Sequence, residues 1–214
     1  MHTYVKTLQG ISSRYAPSRI LSFDITHVFK ALQLIESRGH TSRDALCKEL
    51  NLGEGSVKTL VKHLMMENII ETSNAGTKMT EKGRKFLAEL LSSIPAECEV
   101  PNCSIALGKF NYAILLKQLS VAIKLGIEQR DAAIRVGGVG ATTLLFRKGK
   151  FVIPVTNIDS LKKEPQIHGL LIKELSPKDG DVVIIASSDR NEKVAELSAK
   201  NAALMTVMNH TKHN

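Results

Sequence analysis

The sequence predicts an α+β protein in two parts: an N-terminal half of helices with one short hairpin, and a C-terminal half of mixed strands and helices. Three observations carry this prediction. Apolar residues recur at helical spacing through residues 22–68, whereas short apolar runs separated by turn residues dominate after residue 105. Composition shifts across Pro95 to Pro101, which marks a boundary near residues 97 and 98. At 214 residues, the chain is long enough for two small cores.

Taken in order, residues 1–22 show no clean period and read as a basic arm or a short helix. A helix follows, with Asp24 or Thr26 as its N-cap and Val28, Phe29, Leu32, Leu34 and Ile35 on the apolar face. Gly39 stops it. Ser42 caps a second helix from Arg43 to Leu50, and the turn Asn51-Leu52-Gly53 ends that one. Glu54 opens a third helix running to about Asn68, with Val57, Leu60, Val61 and Leu64 buried. Ile69 to Thr72 and Thr77 to Thr80 read as two strands joined by Ser73-Asn74-Ala75-Gly76, after which Thr80 caps a fourth helix closed by Ile94-Pro95.

In the second half, Ala106 to Lys117 reads as one or two strands and Gly126 to Ile134 as a short helix. Thr142 to Phe146 and Phe151 to Val155 read as a hairpin across Arg147-Lys148-Gly149-Lys150. Asp181 to Ala186 reads as a buried strand, and Asn191 to about Met208 as a helix with Val194, Leu197, Ala202, Met205 and Met208 among its inward residues. Asp189 is an N-cap candidate for that last helix.

Hydrophobic residues make up 43% of the chain and charged residues 23%, which excludes disorder and fibrous repeats as the main architecture. No apolar run is long enough for a transmembrane helix, and the N-terminus lacks the apolar core of a signal peptide; the expectation is a cytoplasmic protein. The formal net charge of +8 suits a polyanionic partner. Residues 1–97 hold 13 Lys/Arg against 10 Asp/Glu, and residues 98–214 hold 16 against 11, so the excess is not concentrated in the N-terminal half. Three cysteines, Cys47, Cys98 and Cys103, are too few and unpaired for a disulfide framework. Cys98 and Cys103, with His210 and His213, fall short of a zinc ligand set, so inert thiols and no metal are expected. No catalytic motif appears, and His27, His40, His63 and His168 have no visible nucleophile partner; no enzyme activity and no cofactor are expected.

Residues 42–70 carry the most information. A short helix, a tight turn containing Gly and a longer helix form a helix-turn-helix by spacing. The outward residues of the longer helix are Gly55, Ser56, Lys58, Thr59, Lys62 and His63, and no acidic residue interrupts Gly55 to Met66. Small residues permit close approach to phosphate, and Lys58 and Lys62 lie one turn apart, facing one polyanion. Arg43 starts the supporting helix, and Asn74, Thr77 and Lys78 lie near the tip of the following hairpin. The recognition segment Leu50 to Leu64, followed after the hairpin by Thr80-Glu81-Lys82-Gly83, resembles winged helix-turn-helix transcription regulators over about residues 22–95. That resemblance implies double-stranded DNA as partner, read by a homodimer.

The second unusual stretch is Gly126 to Leu144. Gly137, Gly138 and Gly140 remove Cβ atoms, Thr142 and Thr143 add hydroxyls, and Arg130, Asp131 and Arg135 add charge nearby. Two readings stay open: a tight helix-to-strand turn, or a cradle of backbone N–H groups for a small anionic effector. These segments, with Phe151-Val152-Ile153-Pro154, resemble archaeal proteins that join an N-terminal winged helix to a C-terminal domain of unknown function. The expected function is a DNA-binding regulator whose residues 98–214 sense a ligand or self-associate. The alternative is a small-molecule-binding protein or enzyme using residues 137–143, its winged helix docking other proteins.

Overall fold

A computed structural model describes residues 3–13, 21–156 and 158–210. The chain divides into two compact units between Leu90 and Leu91. That division lies upstream of the boundary read at residues 97 and 98, because Glu97–Val100 is a strand of the second unit's sheet.

The first unit begins with α1 (Thr3–Ser13), the short helix that the arm reading allowed; residues 14–20 of that arm, like His213, lie outside the described residues. Helix α2 (Ile25–Arg38) is capped by Asp24, whose carboxylate accepts from the backbone N–H of Thr26 and His27, and it ends at Gly39 with φ at +70°. Helix α3 (Arg43–Leu50) is capped by the Ser42 hydroxyl. Asn51 takes the left-handed conformation that closes α3, and α4 (Glu54–Met66) follows. Val57, Leu60, Val61 and Leu64 are buried as their spacing predicts. Strands β1 (Ile70–Ser73) and β2 (Gly76–Met79) pair antiparallel, Ile70 facing Met79. Thr41 adds one further rung, on the other side of β2, through reciprocal backbone bonds of 2.9 Å with Thr77. Gly76, at φ +118°, passes this rung closely; a Cβ there would sit 3.0 Å from the Thr41 oxygen. Helix α5 (Glu81–Ser93) starts where the Thr80 hydroxyl accepts from Gly83 N–H at 3.0 Å. The order of helices and hairpin is the expected one.

The second unit is built on a five-stranded sheet of spatial order β3-β4-β7-β5-β6. Its strands are β3 (Glu97–Val100), β4 (Phe110–Leu116), β5 (Gly140–Arg147), β6 (Lys150–Val152) and β7 (Val182–Ser188). Every pairing is antiparallel, which makes the molecule α+β. On one face, Ala113, Leu115, Leu144, Phe146, Val183 and Ile185 pack with Ile167, Leu171 and Leu175 of α7 (Pro165–Leu175). The opposite face is covered by α6 (Ile127–Arg135) and α8 (Glu192–His210). The period-two alternation of β4, β5 and β7 therefore reads apolar on both faces, as a sheet between two helical layers requires. Strand β3 and helix α7 were not foreseen in the sequence. Within α8, Leu197, Ala202 and Met208 are buried as expected, while Val194 and Met205 are only half-buried.

Candidate nucleic-acid interface

Helix α4 owes its position to its own apolar stripe, which docks four side chains in the core at roughly 1.5–3 kcal/mol each. That docking fixes what the opposite face presents. Gly55, Lys58 and Lys62 are exposed, and Ser56 and Thr59 are half-exposed. The Thr59 hydroxyl donates to the Gly55 carbonyl at 2.9 Å, leaving its lone pairs toward solvent. Neither Lys58 nor Lys62 has an ion pair among the described residues. Both therefore keep their charge free for a polyanion.

The supporting elements contribute around this helix. Arg43 is exposed at the first turn of α3 and is also without an ion pair among the described residues. A cleft of about 360 Å³ separates the start of α3 from the hairpin, with Ser42, Arg43, Thr72 and Ser73 in its walls. Asn74 is exposed at the hairpin turn. Lys78 is half-exposed and pairs across the hairpin with Glu71 at 3.0 Å. An exposed pair of this kind is worth little, so the Lys78 ammonium can exchange Glu71 for another anion at small cost.

Two expected contact residues are turned inward. His63 is 2% exposed; its Nδ1–H donates to the Ile11 carbonyl at 2.8 Å, and Phe23 packs edge-on against its ring. The helical period placed His63 beside the outward face, but α1 covers that flank. Thr77 is also 2% exposed, because the hairpin face that carries it turns toward Thr41.

The glycine segment of the second unit is a helix-to-strand turn. Gly137 N–H donates to Ile134 O at 3.0 Å, Gly138 N–H to Ala133 O at 3.2 Å and Val139 N–H to Ser187 O at 2.9 Å. The amides that an anion cradle needs are thus consumed by the α6 terminus and β7. Each glycine has a steric reason. Gly137 ends α6 at φ +96°, a Cβ on Gly138 would lie 2.6 Å from the Ser198 hydroxyl, and one on Gly140 would lie 2.9 Å from Leu107. Thr142 donates to Ile105 O at 2.7 Å, Thr143 is buried, and Arg130 pairs with its neighbour Asp131 at 3.0 Å. The effector reading of Arg130, Asp131, Gly137, Gly138, Gly140, Thr142 and Thr143 therefore loses its backbone cradle and the Thr142 hydroxyl, and keeps only the exposed Arg130–Asp131 pair.

A charged cluster escaped sequence reading altogether. Lys200 of α8 is fully buried, with its ammonium 2.5 and 2.6 Å from the two Glu97 carboxylate oxygens and 3.2 Å from Glu196. Tyr112 stands beside it, its ring 5.8 Å from the ammonium. Burial, then the charges of Glu97 and Glu196, push the Tyr112 phenol well above its ordinary range. Of the thiols, Cys98 is pushed up to about 11 by burial and by the carboxylates of Glu174, Glu97 and Glu99, which removes its thiolate at neutral pH. Burial also raises Cys103. No group of His, Cys, Asp and Glu suited to a metal ion occurs among the described residues.

Residues 33–85, which span α2 to α5, match the model of the PH0730-like N-terminal domain. Residues 107–207, which span the sheet from β4 onward, match a domain of unknown function, DUF4443. The chain is also similar to a solved structure, the hypothetical protein PH0730 from Pyrococcus horikoshii OT3. The two are 26% identical, with a TM-score of 0.72 over 87% of this chain and 94% of the other. These matches fit an archaeal two-domain protein. No curated protein matches the chain. Among the described residues, no helix is long and apolar enough to cross a membrane.

Proposed function

We propose that the protein is a DNA-binding transcriptional regulator. In this reading the first unit is a winged helix-turn-helix, α4 enters a major groove of double-stranded DNA, and the β1–β2 hairpin lies along the backbone. The single observation that carries the reading is the face of α4. Gly55, Lys58 and Lys62 are exposed together on the side opposite the buried stripe, without a carboxylate partner among the described residues. Ser56, Thr59, Arg43, Asn74 and Lys78 surround them as further contacts. One recognition helix reads few base pairs, so two copies of the chain would bind a two-fold site. The second unit then supplies self-association rather than anion sensing, since its glycine amides are occupied. Val121, Leu125 and Ile127, exposed by 82%, 60% and 46% in one short segment, are one apolar surface available for it, and Ile153, Val155 and Ile158 are another.

Lys58→Ala with Lys62→Ala removes two phosphate contacts. The slope of log affinity against log salt should fall by roughly 1.8 for duplex DNA, at about 0.9 per phosphate. Selection of bound genomic fragments at a fixed salt concentration then identifies the operator. A double variant that binds as tightly, with an unchanged slope, rules out α4 as the reader.

A further inference from the structure

Half of the chain's positive excess lies outside the first unit, and the fold gathers part of it in one place. Lys117 follows β4, Lys178 precedes β7, Arg147 ends β5, and Lys150 begins β6. These four strands are neighbours in the order β4-β7-β5-β6, so their ends form one edge of the sheet. Hydrogen bonds confirm the juxtaposition: Gly180 N–H donates to Phe146 O at 3.1 Å, Lys148 N–H to Asp179 at 2.8 Å, and Gln118 N–H to Asp181 at 2.9 Å. With Lys148 at the hairpin turn, the edge carries five exposed cations.

Three features separate this edge from an ordinary solvated surface. Lys117, Lys148, Lys150 and Lys178 have no ion pair among the described residues. The acidic residues of the same segments are Asp179, which is exposed and accepts from Lys148 N–H at 2.8 Å, and Asp181, which faces inward. It is 2% exposed and accepts from Gln118 N–H, the Gln118 side-chain amide and Lys178 N–H. Finally, Lys148 sits at φ +48° beside Gly149 at +74°, in the two-residue hairpin loop where Asn, Asp or Gly is favoured. A lysine there runs against local propensity, and such departures gather at functional positions.

We propose that this edge binds the phosphate backbone of duplex DNA without regard to base sequence. Four strands span three inter-strand spacings, about 14 Å, over which one DNA strand rises by roughly four nucleotides. The aromatic residues beside the edge, Phe146 and Phe151, are buried against each other with ring centroids 5.0 Å apart. They offer no stacking platform, which favours an intact duplex over single strands. The edge belongs to the second unit and does not depend on α4 being a DNA reader.

The test uses the full chain in four forms: wild type, Lys58→Ala with Lys62→Ala, an edge variant, and the two combined. The edge variant is Lys148→Asn with Lys150→Gln and Lys178→Gln; asparagine tolerates the positive φ, and thermal unfolding checks the fold. Binding to a duplex of random sequence is titrated against salt. The edge variant should lower the slope by roughly 2.7, equally in both backgrounds. Lys117→Gln with Lys178→Gln, which leaves the turn intact, should lower it by roughly 1.8. Unchanged slopes in both edge variants overturn the proposal, whatever the α4 variant shows. Loss of binding to phosphatidylserine vesicles with an unchanged DNA slope also overturns it, in favour of a membrane partner. A slope that falls only with the edge variants upholds the edge and rejects α4.

Discussion

Replacing Gly83 by alanine is a sharp test of how the first unit is packed. Gly83 lies in the first turn of α5, where alanine ordinarily gains up to about 1 kcal/mol over glycine through helix propensity. Here a Cβ would stand 2.0 Å from the Ile69 carbonyl oxygen and 3.0 Å from its carbon. Ordinary contact begins near 3.4 Å, so the backbone of Ile69 would have to retreat by more than 1 Å. That carbonyl cannot move freely, because it accepts from Thr80 N–H at 3.0 Å and from the Thr80 hydroxyl at 3.0 Å. Retreat would break both bonds and the α5 cap together. Overpacking of about 1–3 kcal/mol, added to about 1 kcal/mol for the cap, gives a net loss of roughly 1–3 kcal/mol after the propensity gain. Gly10→Ala is the control: α1 leaves its Cβ position with nothing within 4 Å, so the same substitution should stabilise by about 0.5–1 kcal/mol. Urea unfolding of both variants measures the two signs. A Gly83→Ala protein as stable as wild type would show that α5 does not approach the Ile69 backbone as closely as described.

Two further outcomes follow from charge. Burial pushes the Asp24 carboxyl up, but the His27 ring at 2.8 Å and the backbone N–H groups of Thr26 and His27 outweigh it and hold the carboxyl below its ordinary value. A lowered folded value means that the unfolded chain takes up the proton first. The cap's contribution is therefore complete above about pH 5 and is lost as pH falls through the folded value. Asp24→Ala should cost about 1 kcal/mol at pH 7, and the difference from wild type should shrink toward zero at pH 2, followed by urea unfolding. In the second unit, Lys200→Met removes the buried ammonium that Glu97 and Glu196 share, and should destabilise by about 3 kcal/mol. Adding Glu97→Gln and Glu196→Gln should restore most of that loss in thermal unfolding. A triple variant no better than the single one would show that the lysine's methylene packing, rather than its charge, matters.

The first unit was legible because its signals are local. Asp24, Ser42 and Thr80 cap the helices that their chemistry announces, and Gly39 and Asn51 end theirs in positive-φ conformations. The errors there arose where a distant element intervened. His63 sits at a periodic position that α1 and Phe23 bury, and α1 gave no clean period to anticipate it. Thr77 lies at the hairpin but is held inward by a rung to Thr41, 36 positions earlier in the chain. Neither contact leaves a trace in the spacing of its own segment.

In the second unit the same physics hid whole elements. Strand β3 reads Glu-Cys-Glu-Val, whose apolar face is only Cys98 and Val100, and Glu97 on its other face is neutralised by Lys200, more than 100 residues later. A charged residue then behaves as an interior one, and the segment that looked like a linker becomes a sheet edge. The glycines posed a different problem. Three in four positions left a tight turn and a ligand cradle both open, and what decides is where the N–H groups of residues 137–139 go: to Ile134, Ala133 and Ser187. A glycine cluster announces close approach of backbone to something; whether that is a phosphate or a neighbouring helix is decided by which donors remain unspent. At the basic edge the accounting runs the other way, because Asp179 and Asp181 accept backbone amides while four lysines keep their charge unpaired among the described residues. Charge left over after the fold has satisfied itself is what distinguishes a surface built to meet a polyanion from one that merely faces water.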